Sequence, residues 1–284
     1  MVTDDLEARL KKDLEKSGFG SEMLASRRAV EAGFHIVGGD AFLDLDEERI
    51  RETDVSAWRG WTCRLDDESV ALLSVFLSME VKKSKQPWIV FSRADHPRFG
   101  GESGRHLIYA SNLPADLFAI RSAVQTDSVR QRAGWVGTGV HEAFKKPSES
   151  SRWYRSCITA CKAAESAMRR EASAEDPRGS TADDLRQSAT FFLISRPVVV
   201  LDGRLFRAGL GANAEIELNE CQEAAFEFRF QSAHCQEGHY DVDLVTLRGL
   251  PNYLQRWTPR FEAIGRRLLD IAGLEDGIVS TKWS

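Results

Sequence analysis

The chain has 284 residues, 42% of them hydrophobic and 29% charged, and its formal net charge is −5. This composition is typical of a globular protein with one sizeable domain, and no apolar stretch approaches the length of a membrane span. The negative charge argues against a protein that coats nucleic acid over its whole surface, although a local basic patch would still allow binding. Because the first residues are acidic, with no basic segment followed by an apolar one, we expect no signal peptide and a cytoplasmic protein.

The first predicted elements are a helix and a strand. The segment LEKSGFGSE at 14–22 leads into a helical stretch, and residues 33–37 are predicted to form the strand. Glu22 shares a helical face with two alanines, and such small residues would let the helix lie close to a sheet. Glu22 is also explained as an acidic residue in the first helical turn, where it interacts favourably with the helix dipole. Glu15 is a competing acidic candidate.

Two further strands, predicted at 52–63 and 73–82, contain the main candidate residues. Side chains alternate along a strand, so Glu80 and Lys82 share one face. If the two strands are neighbours, Asp54 on the first and Glu80 on the second converge on one point. The run before Glu80 is apolar and should be buried, and burying a glutamate and a lysine at its end would be unfavourable without a function. The alternative is that the strand emerges into solvent at Glu80 and that Lys82 is an ordinary solvent-exposed lysine.

Two carboxylates and a lysine at one place are the groups that metal-dependent hydrolysis of a phosphodiester requires. Carboxylates are the hard oxygen ligands that Mg²⁺ or Mn²⁺ prefers, and the Val81 carbonyl is close enough to be a further ligand. The cation stabilises charge that builds on the phosphate and activates a water molecule. A lysine beside it can hold the attacking water and stabilise the pentavalent anion.

The rest of the chain alternates between predicted loops and regular elements. Between the candidate strands and the C-terminal third, we predict a loop or hinge at 92–105, a helix at 117–124, a turn-rich loop at 134–139, a helix at 152–170 and an exposed linker at 171–186. Further on, we predict buried strands at 190–194 and 198–201, a hairpin turn at Asp202-Gly203, strands at 224–230 and 240–247, and an amphipathic closing helix at 250–272.

Several other residue groups have open interpretations. The five cysteines form no paired framework, which favours free thiols. His234, Cys235 and His239 lie within one short loop, but a complete four-ligand zinc pattern is missing. Asp241 and Asp243 share a strand face, and either a metal site or the solvent-facing positions of an edge strand would explain them.

Aromatic and basic residues also allow two interpretations each. Trp88 follows the candidate strand, and a buried structural role is favoured over stacking on a nucleotide base. Basic residues could bind nucleic acid, but charge runs of this kind are more often solvated surface. The candidates are Lys82, Lys83, Lys85, Arg93 and Arg98, and then Arg152, Arg155, Lys162, Arg169 and Arg170 on the predicted helix.

The order of a helix, a strand, a strand with Asp54 and a strand with Glu80-Val81-Lys82 resembles the PD-(D/E)xK, or restriction-endonuclease-like, nuclease superfamily. It is most similar to bacterial hypothetical and restriction-like proteins with the patterns LEKxGFxxE, REIDVxA and ECKKSxxPW. Here these stretches are LEKSGFGSE (14–22), RETDVSA (51–57) and MEVKKSKQPWIVF (79–91), and a later Pro-hydrophobic-Asp-Gly-Leu element is matched at 196–205. The sequence departs from the family at Thr53, where an apolar residue is usual, and the leading proline of the motif is absent.

The resemblance implies an α/β fold with an α-βββ-α-β core, in which helices flank a mixed central sheet. Residues 1–205 would form the nuclease-like core, with an insertion around 92–147, and residues 206–284 would add C-terminal strands and a helix to the same domain. The implied metal ligands are Asp54, Glu80 and the Val81 carbonyl, and the implied catalytic lysine is Lys82. Glu22 matches the acidic residue of the first core helix, which commonly binds a metal-held water or a second ion.

The implied function is that of a Mg²⁺-dependent nuclease, with Mn²⁺ as a substitute, that hydrolyses phosphodiester bonds of nucleic acid. DNA is favoured over RNA as the substrate, and a role in restriction or defence follows only from the resemblance. The main alternative is a catalytically inactive nuclease-like protein that binds nucleic acid or acts as a scaffold. A third is an α/β protein with a chance triplet, in which Glu22 would lie far from Asp54. No membrane partner is expected, and a homodimer is left open.

Overall fold

The computed structural model describes residues 2–64, 70–92, 107–111, 137–146, 150–172, 190–234, 238–272 and 278–280. Its helices are α1 (Val2–Ser17), α2 (Phe19–Glu31), α3 (Arg152–Ala172), α4 (Leu250–Gln255) and α5 (Trp257–Ala272). Its first strands are β1 (His35–Val37), β2 (Ala41–Asp44), β3 (Arg49–Glu52), β4 (Val55–Arg64), β5 (Val70–Lys83), β6 (Trp88–Ser92) and β7 (Leu107–Ser111). The later strands are β8 (Gly137–Glu142), β9 (Thr190–Asp202), β10 (Leu205–Leu210), β11 (Ile216–Cys221), β12 (Glu223–Arg229), β13 (His239–Thr246) and β14 (Ile278–Ser280).

One mixed sheet of twelve strands organises the described part of the chain. Its order is β1-β4-β5-β9-β13-β12-β8-β6-β10-β11, with β14 beside β4 and β7 beside β9, while β2 and β3 form a separate hairpin. The predicted pairing of the two candidate strands is confirmed, because β4 runs antiparallel to β5 with Val55 opposite Met79. On its other side β5 runs parallel to β9, from Ala71 opposite Thr190 to Lys83 opposite Asp202.

Helices cover both faces of the sheet, as expected for an α/β fold. On one face, α2, α4 and α5 bury a core that includes Met79 and Val81 of β5. On the other face, α3 packs on the sheet, where Ala167 contacts Phe76 of β5. Because side chains alternate along a strand, Glu80 lies on the same face as Phe76 and so points toward the α3 side. None of the described helices is long and apolar enough to cross a membrane.

The predicted hairpin at Asp202-Gly203 is wrong. The two predicted strands before it form one continuous strand, β9, and β10 pairs with β6 and β11 rather than with β9. Gly203 therefore lies in a connection that carries the chain from one part of the sheet to another. A short Asp-Gly turn signal describes the local bend, but it does not specify which strand the next segment will join.

The predicted turn-rich loop at 134–139 is also wrong for its last residues. Residues 137–139 belong to β8, which pairs with β6 so that Val140 lies opposite Val90. The glycines there have weak intrinsic strand preference, but the ladder with β6 satisfies their backbone groups. Residues 134–136 lie outside the described residues, as do the predicted helix at 117–124, most of the loop at 92–105 and most of the linker at 171–186.

The closing helix is divided in two. The break between α4 and α5 falls at Arg256, four residues after Asn252, whose carbonyl accepts the Arg256 N–H. Pro259 accounts for the break, because its ring lacks an N–H and clashes with the carbonyl of Gln255 in a continuous helix. The amphipathic pattern is nevertheless confirmed, since Leu254, Trp257 and Phe261 are all buried.

Asp241 and Asp243 do not lie on an edge strand, so that interpretation is wrong. Their strand, β13, runs between β9 and β12 in the interior of the sheet, and both carboxylates are buried. Asp243 forms an ion pair with Arg196 of β9 at 2.8 Å and accepts a hydrogen bond from the Tyr253 hydroxyl at 2.7 Å. A buried ion pair, rather than a solvated edge, explains the acidic residue at position 243.

The basic residues of α3 mostly bind acidic partners. Lys162 lies 2.5 Å from Asp44 Oδ1 and 2.8 Å from Asp46 Oδ2, both at the tip of the β2–β3 hairpin. Arg170 forms an ion pair with Asp40 at 2.6 Å, just before the same hairpin. These contacts dock the hairpin on α3 and neutralise Lys162 and Arg170 within the protein. Of the other basic candidates, Arg93 and Arg98 lie outside the described residues.

Candidate functional site

The residues predicted from strand pairing meet at the end of β5. Because β4 and β5 are antiparallel, the start of β4 and the end of β5 lie at the same edge of the sheet. Asp54 Oδ2 accepts a hydrogen bond from the Val81 backbone N–H at 2.8 Å and lies 3.0 Å from Lys82 Nζ. Lys82 Nζ also lies 2.9 Å from Glu80 Oε2. One ammonium group therefore bridges the two carboxylates.

The site is buried at one end and open at the other. Glu80 is only 5% exposed, whereas the side chains of Asp54 and Lys82 are 23% and 34% exposed. On the buried side, the Glu80 carboxylate approaches α3, where burial and then this carboxylate raise the pKa of the Cys157 thiol. A ligand would therefore reach the site from the side of Asp54 and Lys82.

Burial and neighbouring charge set the protonation of the two charged residues on β5. Burial, followed by the Asp54 carboxylate, raises the pKa of Glu80 to about 7, against the opposite influence of Lys82 and Arg51. Burial alone would lower the pKa of Lys82, but Glu80 and Asp54 outweigh it, so that this pKa is raised. Lys82 is consequently an ammonium ion at neutral pH, and Glu80 can exist there with or without its proton.

Glu22 lies close to this group, in the first turn of α2. Burial and then the Asp54 carboxylate raise the pKa of Glu22, while Lys82 lowers it. These influences show that α2 holds Glu22 within electrostatic range of Asp54 and Lys82. The neighbouring Ser21 hydroxyl donates to Asp202 Oδ2 at 2.6 Å and ties the start of α2 to the end of β9. Glu15 lies on α1, and its side chain is outside the described residues.

Sequence reasoning missed two residues that support the site. The sequence indicates only a turn at Asp202, but its carboxylate anchors α2 through Ser21. Arg51 belongs to the RETDVSA stretch, and its charge lowers the pKa of Glu80. The Arg51 guanidinium is held by Asp44 at 3.1 Å and Glu47 at 2.5 Å. Its position three residues before Asp54 was the available signal.

The donor groups at this site fit a hard divalent cation. Within the part of the chain that the structure describes, no three His, Cys, Asp or Glu side chains form a metal-ligand group. The donors that the structure brings together are the carboxylates of Asp54 and Glu80, and the Val81 carbonyl is a further candidate from the sequence. Mg²⁺ commonly takes one or two protein carboxylates and completes its coordination with water, so this small set is sufficient. The Lys82 ammonium between the two carboxylates shows that they favour a positive charge between them.

Two other predicted sites have different outcomes. Trp88 is 1% exposed in the core, which confirms its structural role and excludes it as a stacking surface. Of the three residues considered as zinc ligands, Cys235 lies outside the described residues.

No protein-family model, curated protein or solved structure matches this chain. The resemblance to PD-(D/E)xK nucleases therefore depends on the quoted motifs. The order of the strands and the positions of Asp54, Glu80 and Lys82 are structural observations in addition to those motifs.

The raised pKa of Glu80 predicts that the metal-free protein loses stability as the pH rises. A carboxyl group with a pKa of about 7 in the folded protein and 4.5 in the unfolded chain favours folding while it is protonated. This stabilisation is complete below the unfolded value and is lost as the pH rises through the folded value. The difference corresponds to about 3 kcal/mol, and Glu22, whose pKa is also raised, acts in the same direction.

Urea unfolding in the presence of a chelator, at about pH 5 and about pH 8, measures this loss. Glu80→Gln is the matched control, because it keeps the side-chain shape but cannot ionise. We expect a smaller decrease in unfolding free energy between the two pH values for the variant than for the unmodified protein. An equal decrease in both proteins would contradict the assigned protonation of Glu80.

Proposed function

We propose that this protein is a metal-dependent nuclease of the PD-(D/E)xK type that hydrolyses phosphodiester bonds of nucleic acid, with DNA favoured. The observation that carries the proposal is the Lys82 ammonium, 3.0 Å from Asp54 Oδ2 and 2.9 Å from Glu80 Oε2. Two carboxylates that can hold a cation, next to a lysine that can face an anionic phosphate, are the groups this reaction needs. A role in restriction or defence is part of the proposal only through the family resemblance.

The arrangement of elements around the site supports a restriction-endonuclease-like core. In chain order, α2, β1, β4, β5, α3 and β9 give a helix, three strands, a helix and a strand. The first three of these strands are antiparallel neighbours, and β9 runs parallel to β5. The β2–β3 hairpin and strands β6 to β8 would then be insertions in this core.

In the proposed mechanism, Asp54, Glu80 and the Val81 carbonyl would hold Mg²⁺ or Mn²⁺. When bound, the cation supplies stabilisation of negative charge on the phosphate and a lowered pKa for water. Lys82 is protonated, so it acts as a hydrogen-bond donor that orients the attacking water and faces the charge that develops on the phosphate. Glu22, whose pKa is raised by burial and by the Asp54 carboxylate, would hold a metal-bound water.

The two alternatives make different demands on the geometry. An inactive nuclease-like binding protein or scaffold would be favoured if the two carboxylates were far apart and Lys82 pointed into solvent. The bridge that Lys82 makes between Asp54 and Glu80 argues against that arrangement. A chance triplet would leave Glu22 remote from Asp54, whereas the Asp54 carboxylate raises the pKa of Glu22.

Incubation of the purified chain with a panel of nucleic acids tests the proposed function. The panel contains single- and double-stranded DNA and RNA, each with Mg²⁺, with Mn²⁺ and with EDTA. We expect cleavage of at least one substrate with Mg²⁺ or Mn²⁺ and none with EDTA. Binding without cleavage under every condition would instead favour the inactive nuclease-like protein, and cleavage that persists in EDTA would refute the metal-dependent mechanism.

A further inference from the structure

The turn after β8 holds a phenylalanine ring in solvent. Phe144 is 85% exposed, and its φ of 59° lies in the left-handed region that bulky residues rarely adopt. The turn is nevertheless fixed: Gln86 Nε2 donates to the Phe144 carbonyl at 3.3 Å, and the Ala143 N–H donates to the Pro87 carbonyl at 2.9 Å. An exposed ring on an anchored and unfavourable backbone has no explanation in the packing of the core.

This turn is linked to the candidate active site through Gln86. Gln86, which holds it, is four residues after Lys82, so the chain between them spans at most about 14 Å. Ser84 shortens this connection, because its hydroxyl donates to the Gln86 carbonyl at 2.8 Å. The Ser84 N–H also donates to the Asp202 carbonyl at 3.0 Å, at the strand end to which α2 is anchored. The segment between β5 and β6 therefore contacts both the Phe144 turn and the strand end to which α2 is anchored.

The surroundings of the ring are basic. Lys145 and Lys146 follow Phe144 in the chain, and Lys85 is exposed on the adjoining connection. The nearest carboxylate in the chain, Glu142, is buried, and its Oε1 accepts the Arg152 backbone N–H at 2.6 Å. The exposed ring is thus bordered by positive side chains, which attract phosphate groups.

We propose that Phe144 stacks on a base of a single-stranded segment of nucleic acid, while Lys85 and Lys146 contact the adjacent phosphates. The inference rests on the proposed function, since it names the class of substrate that would reach the Asp54–Lys82 site. A base in a continuous duplex has both faces covered by its neighbours, so only an unpaired or terminal base offers a face to the ring. Aromatic stacking tolerates any base, and the surface therefore selects for strandedness rather than for sequence.

Binding measurements on the full chain in EDTA test this surface without cleavage. Fluorescence anisotropy is recorded with labelled single-stranded DNA, single-stranded RNA and double-stranded DNA of the same sequence. Phe144→Asn removes the ring and suits a left-handed backbone better than phenylalanine does. We expect this variant to bind the single strands about tenfold more weakly and the duplex unchanged. Phe144→Trp, which keeps an aromatic face, should retain the affinity of the unmodified protein.

The matched control is Ile216→Asn, which removes another exposed apolar side chain, 69% exposed, from β11. This variant should bind like the unmodified protein. Unchanged single-strand affinity in Phe144→Asn overturns the inference, as does a preference of the unmodified protein for the duplex. Failure of the proposed function gives a different result. In that case no substrate is cleaved with Mg²⁺ or Mn²⁺, but the unmodified protein still binds single strands and Phe144→Asn still binds them more weakly.

Discussion

Replacing Lys82 with alanine should lower the rate of Mg²⁺-dependent cleavage by about 100-fold or more without unfolding the protein. The ammonium is the only group in the proposed mechanism that can donate a hydrogen bond to the water and face the developing charge. Its side chain is one-third exposed, so its removal leaves no large cavity in the core. The measurement is kcat/KM on the best substrate of the panel, together with the far-ultraviolet circular dichroism spectrum.

Lys12→Ala is the matched control, because it removes an exposed lysine on α1 that takes no part in the proposed mechanism or binding surface. Its kcat/KM should equal that of the unmodified protein. Asp54→Ala should abolish metal-dependent cleavage by removing a cation ligand. Cleavage by either Lys82→Ala or Asp54→Ala at the rate of the unmodified protein would refute the site.

A second large effect is expected on stability, at the buried ion pair between Arg196 and Asp243. Arg196 Nη2 and Nε lie 2.8 Å and 3.3 Å from the two carboxylate oxygens of Asp243, and both side chains are almost fully buried. Arg196→Met removes one partner and leaves a buried carboxylate without its counterion. The free energy of unfolding should fall by about 3–5 kcal/mol, measured by urea denaturation.

Two further variants separate the buried charge from a general loss of packing. Arg204→Met breaks the exposed ion pair with Glu220 on the β10–β11 hairpin, and its unfolding midpoint should be almost unchanged. The double variant Arg196→Met/Asp243→Leu removes both charges and should recover much of the lost stability. If Arg196→Met were as stable as Arg204→Met, the assigned role of the buried pair would be wrong.

The parts of the site that are predictable from the sequence are those set by strand alternation and by the pairing of neighbouring strands. Glu80 and Lys82 are two residues apart on β5, and Asp54 immediately precedes β4, the antiparallel neighbour of β5. Glu22 was predictable only through the family resemblance. Arg51 is close to Asp54 in the sequence, but a charged residue in a short strand gives no indication of the direction of its side chain.

Long-range contacts explain the wrong predictions. Asp241 and Asp243 alternate with apolar residues in the same way whether the strand is a solvent-exposed edge or a buried strand whose carboxylate pairs with an arginine on another strand. The partner, Arg196, is 47 residues away in the chain. Similarly, Lys162 lies 118 residues from Asp44, and nothing local distinguishes it from a solvated lysine. Strand order within the large sheet also depends on contacts between residues far apart in the chain, and hydrophobic periodicity does not specify such contacts.

The Lys82 bridge has a consequence for how the site is assembled. Two carboxylates held side by side would repel each other, but the chain supplies its own counterion from the next residue but one on the same strand. The folded arrangement of Asp54 and Glu80 therefore needs no added ion to offset the repulsion between their charges. If the two carboxylates hold a divalent cation as we propose, the protein would stay folded without it, and a change in ion supply would switch its chemistry and not its structure.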